Sequence, residues 1–288
     1  MKTVLVTGGK GQLALCMKDA TNSLKEYNFI YVDYDELDIT KKPEVDAFFL
    51  ENRIDYCINC AAYTAVDKAE KEEVTAKLVN EIGAKNLAEA CKKSHAILVH
   101  ISTDFVFDGK KNTPYLETDE ANPISVYGLS KLKGEIAVSS VLEQYFIIRT
   151  SWLYSEHGNN FLKTMLKLAE EKDELNIIYD QIGTPTYAGD LADVILKLIF
   201  SDMTSYGTYH FSNEGVAGWY DFSKNIFDIS GFKVTVNPIK TEAYKTDAER
   251  PKYSVLDKTK IKEMLKIEIP YWRESLKTAI IKLGHLNN

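Results

Sequence analysis

The residues best suited to chemistry are a tyrosine and a lysine four positions apart, in the segment Tyr127-Gly128-Leu129-Ser130-Lys131. On a helix, side chains at this spacing share one face. An ammonium beside a phenol favours the phenolate and lowers the pKa of the tyrosine, which suits proton transfer near neutral pH. We therefore predict that Tyr127 and Lys131 form a proton-transfer pair, although most Tyr-x-x-x-Lys sequences are ordinary helix surface.

A second reactive group precedes this pair. Residues 99–107 form an apolar, strand-like run in which Ser102 and Thr103 place hydroxyls at the strand end. The Thr103 hydroxyl could hold a reacting carbonyl beside Tyr127. The pair and the threonine predict a site between residues 99 and 131, provided that other elements bring a cofactor to it.

The N-terminus supplies the first of these elements. The β-branched run Lys2–Thr7 is followed at once by a glycine turn, in which Gly9, Gly11 and Ala14 match the G-x-G-x-x-A dinucleotide fingerprint. Glycines let the backbone approach a pyrophosphate at a helix N-terminus, where free N–H groups and the helix dipole favour an anion. The turn predicts a nicotinamide dinucleotide site, with a plain strand-to-helix turn as the alternative.

A predicted second strand, residues 28–33, ends in Asp33, 22 residues beyond Gly11. An acid at this place hydrogen-bonds the adenosine ribose hydroxyls. It favours NADH because its charge repels a 2′-phosphate, whereas Lys10 or Lys41 could accept that phosphate. We therefore expect the protein to use either NADPH or NADH, without a strong preference for NADPH.

Strands and helices alternate through the first half of the chain, which predicts an α/β fold with a Rossmann-like doubly wound parallel sheet. The predicted strands are Lys2–Thr7, 28–33, 55–61, 97–102 and Tyr145–Thr150; the predicted helices are 43–51, one or two within 67–93, and 125–141. Ligands of such sheets bind at the carboxyl ends of the strands. Thr103 and the glycine turn would meet at that edge.

The alternation changes after Trp152. Helices are predicted at 161–172 and 190–200 and a short strand at 207–211, with aromatic and proline residues spread through the remainder. We predict a dinucleotide-binding domain at 1–150, to which 188–212 return. Residues 151–187 and 213–288 would form a smaller α+β substrate-binding domain.

Composition excludes several classes of protein. The 288 residues carry a net charge of −7, whereas nucleic-acid-binding proteins normally show a basic excess. No apolar run approaches the roughly 20 residues of a membrane span, and the N-terminus does not fit a signal peptide, so we expect a cytoplasmic protein. Cys57 and Cys60 lie in a strand-like run without a second cysteine pair, and the five histidines are isolated. These patterns predict no metal site.

Several longer segments carry a family resemblance. They are Thr7-Gly8-Gly9-Lys10-Gly11-Gln12-Leu13, Leu37-Asp38-Ile39-Thr40, Asn59-Cys60-Ala61-Ala62-Tyr63-Thr64-Ala65-Val66-Asp67, Ser102-Thr103-Asp104-Phe105-Val106-Phe107-Asp108-Gly109, Tyr127-Gly128-Leu129-Ser130-Lys131, Arg149-Thr150-Ser151-Trp152, Gly158-Asn159-Asn160-Phe161, Asp180-Gln181-Ile182-Gly183 with Pro185-Thr186, and Arg250-Pro251. On these segments the chain resembles the extended short-chain dehydrogenase/reductase superfamily and, within it, the dTDP-4-dehydrorhamnose reductases.

The resemblance implies a reaction. A nicotinamide cofactor would reduce the C4 ketone of dTDP-4-dehydro-6-deoxy-L-mannose to dTDP-L-rhamnose. Tyr127 would protonate the C4 oxygen, Lys131 would hold the nicotinamide ribose and lower the pKa of Tyr127, and Thr103 would hydrogen-bond the sugar oxygen. The later domain would then bind the sugar nucleotide.

The resemblance also implies binding residues. Besides Tyr127 and Lys131, the cofactor would contact Gly8, Gly11, Gln12, Leu13, Asp33, Asp38, Ile39, Ala62, Tyr63 and Thr64. The sugar nucleotide would contact Thr103, Asp104, Trp152, Asn160 and Arg250. Arg250 would pair with the diphosphate, since guanidinium binds such groups in bidentate fashion. A surface salt bridge for Arg250 and plain core packing for Trp152 are the alternatives.

Two features concern assembly. Some members of this family bind Mg²⁺ through glutamates at a dimer interface, but the matching positions here are Cys16 and Gly189, neither of which offers a hard oxygen side chain. We therefore expect no bound metal and a protein that is a monomer or a weak homodimer. Its expected binding partner is the dTDP-sugar substrate, and we expect it to bind neither nucleic acid nor membranes.

Other functions remain open. Another sugar-nucleotide reductase, an epimerase or a 4,6-dehydratase would share the fold. A dehydratase needs Thr-Asp-Glu, and here Phe105 follows Thr103 and Asp104. A non-catalytic NADP-binding regulatory subunit is a rival of another class, which intact Thr103, Tyr127 and Lys131 disfavour.

Overall fold

The computed structural model describes residues 1–22, 24 and 26–285. Twelve strands are present in these residues: β1 (Lys2–Thr7), β2 (Tyr27–Val32), β3 (Tyr56–Asn59), β4 (Ile97–Thr103), β5 (Tyr145–Thr150), β6 (Leu153–Tyr154), β7 (Glu174–Ile178), β8 (Ile182–Gly183), β9 (Thr186–Tyr187), β10 (Gly207–His210), β11 (Ala217–Gly218) and β12 (Thr235–Ile239). Six of them, in the order β10-β5-β4-β3-β1-β2, form one parallel sheet. The predicted α/β fold with a doubly wound parallel sheet is confirmed.

Helices cover both faces of this sheet. The α-helices are α1 (Gln12–Thr21), α2 (Lys42–Asn52), α3 (Val66–Ala69), α4 (Glu73–Lys77), α5 (Ala84–Ser94), α6 (Val126–Val141), α7 (Phe161–Glu171), α8 (Ala188–Phe200), α9 (Trp219–Ser230), α10 (Thr259–Leu265) and α11 (Trp272–Lys282). Within the described ranges, none of these helices is both long enough and apolar enough to cross a lipid bilayer.

Alternate residues of each central strand enter opposite cores, because successive strand side chains point to opposite faces. On one face Val4 and Val6 pack with α1 and α8. On the other face Leu5, Cys57 and Leu98 pack with residues of α2 and α5. Cys57 is fully buried on this face of the sheet.

The strand ends are aligned at one edge of the sheet. Thr7 at the end of β1 lies opposite Val32 of β2 and Asn59 of β3, and Thr103 lies opposite Thr150 of β5. The loops that follow these strands therefore open on one side. This alignment positions the functional site.

The later chain both returns to the sheet and builds a separate core. β10 pairs with β5, and α8 packs against α1. A second core contains Phe222 and Trp272, together with residues of α7, α9 and α11 and the parallel pair β7 and β12. The division of the chain into a cofactor domain and a substrate domain stays a prediction.

The segment 67–93 differs most from the sequence expectation of one or two helices. It contains the end of α3, then α4, a π-helical stretch Leu78–Gly83, and α5. A π-helical turn accommodates an extra residue, and such turns are frequent at functional sites. Here the stretch contains Asn80, whose buried side chain contacts two other segments. Helical periodicity alone does not reveal this insertion.

Candidate active site

A cavity of about 930 Å³ follows the carboxyl edge of the sheet. This volume lies in the range of protein ligand sites, roughly 300–1,000 Å³. All predicted site residues except Asn160 line it: Gly8, Gly11, Gln12, Leu13, Asp33, Asp38, Ile39, Ala62, Tyr63, Thr64, Thr103, Asp104, Tyr127, Lys131, Trp152 and Arg250. Their roles stay predictions, but the fold does bring them into one cavity.

The glycine turn leaves an anion site at one part of this cavity. Gly8 has a φ of +67°, and a Cβ there would lie 2.8 Å from the Cα of Ala61, so the turn requires glycine. Helix α1 then begins after Gly11 with neither a side-chain cap nor an acid in its first turn. Its N-terminal N–H groups are available to a pyrophosphate. The turn therefore fits a dinucleotide.

The end of β2 places Asp33 beside this turn. Its carboxylate accepts hydrogen bonds from the backbone N–H groups of Lys10, at 2.9 Å, and Tyr34, at 2.7 Å. The Lys10 ammonium instead pairs with Asp35 at 2.8 Å. Asp33 is thus oriented by the backbone and lines the cavity, whereas the exposed Asp35 belongs to a surface ion pair.

Asp38 and Ile39 continue the same wall. The carboxylate of Asp38 accepts hydrogen bonds from the N–H and the hydroxyl of Thr40, at 3.0 and 2.7 Å. The Asn86 side chain donates to the carbonyl oxygen of Ile39 at 2.9 Å. These bonds fix the loop that carries two of the predicted cofactor contacts.

Asn80 fixes another loop of the cavity wall, which contains Ala62, Tyr63 and Thr64. Its side-chain oxygen accepts from the N–H of Tyr63 at 2.9 Å, and its amide donates to the Tyr63 carbonyl at 3.1 Å and to the Ser130 hydroxyl at 2.9 Å. Asn80 thus joins the loop of Ala62, Tyr63 and Thr64 to α6. Sequence reasoning missed this residue, since nothing in its local pattern marks it.

Helix α6 carries Tyr127 to the end of β4. The helix begins with a cap in which the Ser125 hydroxyl accepts from the N–H of Gly128 at 3.1 Å. A Cβ on Gly128 would lie 2.2 Å from the carbonyl oxygen of Phe105, so glycine allows the close approach of the helix. The rings of Phe105 and Tyr127 meet edge to face, with centroids 5.6 Å apart.

The pKa values of the pair differ from the sequence prediction. Burial raises the pKa of Tyr127 to about 12; the neighbouring Thr103 hydroxyl opposes this shift and the charge of Asp104 adds to it. The prediction that Lys131 lowers the pKa of Tyr127 is wrong for this structure. The Lys131 ammonium donates to the carbonyl oxygen of Ile101 at 2.6 Å, and burial lowers the pKa of Lys131 to about 8. Tyr127 is therefore a protonated acid at neutral pH.

Thr103 and Asp104 form the opposite side of the reaction site. The Thr103 hydroxyl accepts from the N–H of Phe105 at 3.2 Å and donates to Oδ1 of Asp104 at 3.1 Å. Oδ2 of Asp104 is buried and has no hydrogen-bond partner in the part of the chain described. Burial raises the pKa of Asp104 to about 6, against the effect of the Ser254 and Thr103 hydroxyls. The Asp104 carboxylate is therefore a buried acceptor in the cavity wall.

Arg250 lines the cavity and also forms the ion pair considered as its alternative role. Its guanidinium binds both carboxylate oxygens of Asp67, at 3.0 and 2.7 Å, and this cation holds the pKa of Asp67 below its usual value. The N–H of Ala248 also donates to Asp67 at 3.1 Å. Asp67, which was not among the predicted site residues, therefore orients Arg250.

Two further aromatic residues line the cavity beside Trp152. The indoles of Trp152 and Trp219 stack with centroids 3.6 Å apart and an interplanar angle of 7°, and Phe161 lies 4.6 Å from Trp219. The Trp219 N–H donates to the side-chain oxygen of Gln181 at 3.2 Å. Trp219 and Phe161 were missed because no sequence spacing connects them with Trp152.

Asn160 lies outside the set of lining residues. It caps α7 by accepting from the N–H of Lys163 at 3.1 Å, and its amide donates to the side-chain oxygen of Gln12 at 3.2 Å. The geometry gives Asn160 a positioning role toward Gln12. It does not support the predicted direct contact with the substrate.

Comparison with known proteins agrees with this geometry. A sequence profile of the family described as RmlD substrate binding domain matches residues 1–284. The dTDP-4-dehydrorhamnose reductase of Aggregatibacter actinomycetemcomitans is 42% identical over 287 residues, which cover 96% of this chain and 98% of the relative. The chain belongs to the dTDP-4-dehydrorhamnose reductase family. The resemblance stated from the sequence is confirmed.

Two crystal structures of family members have the same fold throughout. The dTDP-4-dehydrorhamnose reductase of Bacillus anthracis, in complex with NADP, superposes with a TM-score of 0.95 at 43% identity and covers 98% of this chain and 100% of its own. The enzyme of Clostridium acetobutylicum gives a TM-score of 0.94 at 44% identity, with coverages of 98% and 99%. This family member therefore has the complete architecture of its relatives.

Proposed function

We propose that this family member reduces the C4 ketone of dTDP-4-dehydro-6-deoxy-L-mannose to dTDP-L-rhamnose with NADPH or NADH. The observation that carries the proposal is the convergence of Thr103, Tyr127 and Lys131 on a cavity that also contains the uncapped N-terminus of α1. Membership of the reductase family gives the reaction class, and the aromatic wall and Arg250 give the substrate class.

The cofactor site is assigned from residues at three strand ends. Gly8, Gly11, Gln12 and Leu13 would hold the pyrophosphate, Asp33 the adenosine ribose, and the clamped loop of Tyr63 the nicotinamide side. When bound, a reduced nicotinamide supplies the hydride. The relative from Bacillus anthracis has NADP bound, and Asp33 keeps NADH in the proposal because its carboxylate would repel a 2′-phosphate.

Side chains of the protein supply the proton that the reduced ketone oxygen needs. The Thr103 hydroxyl, which in this structure donates to Oδ1 of Asp104, would turn to donate to the ketone oxygen and so hold the carbonyl in place. Tyr127 gives its phenolic proton to that oxygen as negative charge develops. A pKa of about 12 keeps Tyr127 protonated until then. Charged Lys131 would hold the nicotinamide ribose.

The substrate site combines an apolar wall with two charged groups. The stacked Trp152 and Trp219 offer an indole surface of the kind that packs against the apolar face of a sugar or a base. Arg250 uses Nη1 and Nη2 to bind Asp67 and would offer its Nε–H and the second Nη2 proton to a diphosphate. Asp104 lines the cavity and would accept a hydrogen bond from a sugar hydroxyl through its carboxylate. A site for a sugar nucleotide explains why all three occur in one cavity.

The geometry separates this reaction from its rivals. A 4,6-dehydratase needs an acid at the position of Phe105, whose ring instead packs on Tyr127. A regulatory subunit has no need of Thr103, Tyr127 and Lys131 in one cavity. A monomer or weak homodimer and a cytoplasmic location stay predictions from the sequence.

The test is to incubate the protein with dTDP-4-dehydro-6-deoxy-L-mannose and either NADH or NADPH. We expect loss of reduced-nicotinamide absorbance with both cofactors and formation of one mole of dTDP-L-rhamnose per mole of cofactor oxidised, identified by mass spectrometry and NMR. No consumption of either cofactor by folded protein would favour the regulatory subunit. An NADPH efficiency far above that of NADH would contradict only the role of Asp33.

A further inference from the structure

One cluster of potential metal ligands lies outside the active-site cavity. Cys16, Glu156 and His157 each offer one ligand atom, and these atoms lie within 4.8 Å of one another. Cys16 belongs to α1, and the other two residues belong to the loop between β6 and α7. This is the one such group of three in residues 1–22, 24 and 26–285.

The histidine is oriented by a residue outside the cluster. Nε2 of His157 lies 2.7 Å from a carboxylate oxygen of Asp19. Hydrogen bonding to a carboxylate fixes the tautomer of a histidine, so the other ring nitrogen keeps its lone pair. Metal-binding histidines usually have such a partner, and Asp19 therefore prepares His157 to be a ligand.

The glutamate is also fixed from outside. The Tyr187 hydroxyl lies 3.0 and 2.9 Å from the two carboxylate oxygens of Glu156, and the Lys282 ammonium lies 3.0 Å from one of them. A carboxylate has about four lone-pair directions, so these bonds leave room for a metal. The side chain of Glu156 is 10% exposed and Cys16 is buried, which makes two of the three ligands rigid.

The charges around the cluster suit a divalent cation. Burial raises the pKa of Cys16 to about 12, so Cys16 is a thiol until an ion displaces its proton. With that proton lost, Cys16, Glu156 and Asp19 carry three negative charges, and Lys282 carries one positive charge. A divalent ion would bring this group of residues to neutrality. His157 remains 27% exposed and gives the ion a path from solvent.

We propose that Cys16, Glu156 and His157 bind a thiophilic divalent cation of the Zn²⁺ type, with solvent as the fourth ligand. Sulfur and imidazole ligands select Zn²⁺ over hard ions such as Mg²⁺. On binding, the S–H bond of Cys16 breaks, a sulfur–metal bond forms, and the proton passes to the solvent. The sequence predicted no metal, and the proposal revises that expectation.

The position of the site gives the ion a structural role. The loop that carries Glu156 and His157 also holds Gln12, whose side-chain oxygen accepts from the Ser155 hydroxyl at 3.3 Å and from the Asn160 amide at 3.2 Å. Gln12 and Cys16 are four residues apart, on one face of α1. A bound ion would therefore fix this loop against α1 behind the pyrophosphate turn.

Titration with Co²⁺, a spectroscopic substitute for Zn²⁺, tests the site directly. In the full-length protein we expect a thiolate-to-cobalt charge-transfer band that saturates at one ion per chain and is displaced by Zn²⁺. Cys16→Ser and His157→Asn should abolish the band. Asp19→Asn, which changes an exposed side chain, should weaken Zn²⁺ binding about 10–100-fold, the usual effect of losing such a partner.

Matched variants control for the loss of a thiol or an imidazole elsewhere. Cys91→Ser removes a buried thiol of α5, and His95→Asn replaces the histidine after that helix, where the left-handed backbone (φ 58°) accepts asparagine. Both should keep the wild-type band. The proposal would be overturned if the wild type gave no band or if the band persisted in Cys16→Ser. Unchanged Zn²⁺ affinity in Asp19→Asn would also overturn it. That measurement does not depend on whether Cys16→Ser folds, because Asp19 is exposed. None of these measurements requires the reductase activity.

Discussion

The ammonium of Lys131 is hydrogen-bonded to the carbonyl oxygen of Ile101, 2.6 Å away. The bond joins the middle of α6 to β4 just before Thr103, so the lysine is held at the strand edge where the reaction would occur. Burial there lowers the pKa of Lys131 to about 8 and raises that of Tyr127 to about 12. In the ligand-free protein the lysine therefore loses its charge long before the tyrosine.

This order of titration predicts the alkaline limb of the pH profile. If charged Lys131 holds the ribose, kcat/KM should fall above pH 8 by about tenfold per pH unit, because kcat/KM reports groups of the free enzyme. The measurement is kcat/KM for the sugar nucleotide between pH 6 and pH 10. Lys131→Met should lower activity and remove this limb. A first decline that appears only near pH 10 would show that Lys131 does not need its charge.

The pKa of Asp104 predicts the acidic limb of the kcat/KM profile. Its pKa of about 6 means that the carboxylate is ionised above pH 6 and protonated below it, and protonation weakens it as a hydrogen-bond acceptor. We expect kcat/KM to fall as the pH drops below about 6, and Asp104→Asn to lose that limb. Asp119→Asn, outside the cavity, should retain it. If the acidic limb is unchanged in Asp104→Asn, a group other than Asp104 causes it.

Tyr127→Phe removes the phenolic proton and leaves the ring. Turnover should fall about 10²–10⁴-fold, the usual weight of a general acid. Cofactor affinity, measured by fluorescence titration, should stay close to that of the wild type because the lost group faces the reacting oxygen. Wild-type turnover in this variant would exclude Tyr127 from the mechanism.

Arg250→Lys keeps the positive charge but loses the planar fork that now binds Asp67. If the fork also binds the diphosphate, KM for the sugar nucleotide should rise roughly 10–100-fold, the equivalent of one charged hydrogen bond, with little change in kcat. The matched control is Arg273→Lys, because Arg273 forms an exposed ion pair with Asp228 and lies outside the cavity. If Arg250→Lys and Arg273→Lys have equal KM values, Arg250 does not bind the diphosphate and only forms its ion pair with Asp67.

Trp219→Ala removes one member of the indole stack. Aromatic pairs contribute about 0.5–1.5 kcal/mol beyond the burial of area, so KM for the sugar nucleotide should rise roughly 2–10-fold while NADPH affinity is kept. Trp272→Phe, in the second core, should alter thermal stability without this change in KM. If KM is unchanged in Trp219→Ala, the stack of Trp152 and Trp219 only packs within the protein and does not contact the sugar nucleotide.

The sequence predicted the fold class and most of the residues that line the cavity. Local patterns sufficed for a glycine turn after a short strand, an acid after the next strand and a Tyr-x-x-x-Lys helix, because each depends on neighbours in the chain. The other predicted site residues came from the family resemblance. The parallel sheet then had to align Gly8, Asp33 and Thr103 at one edge, since the ends of parallel strands meet there. The apolar Phe105, at a position where a dehydratase needs an acid, is likewise a property of the local sequence.

Only the tertiary structure decided contacts between residues that are distant in sequence. The stack of Trp152 on Trp219, the pairing of Arg250 with Asp67, and the approach of Cys16 to His157 each join segments more than 60 residues apart, so no periodicity encodes them. Burial also decided the pKa values. The sequence places a lysine four residues from Tyr127, but burial of the tyrosine in the folded chain raises its pKa instead of lowering it.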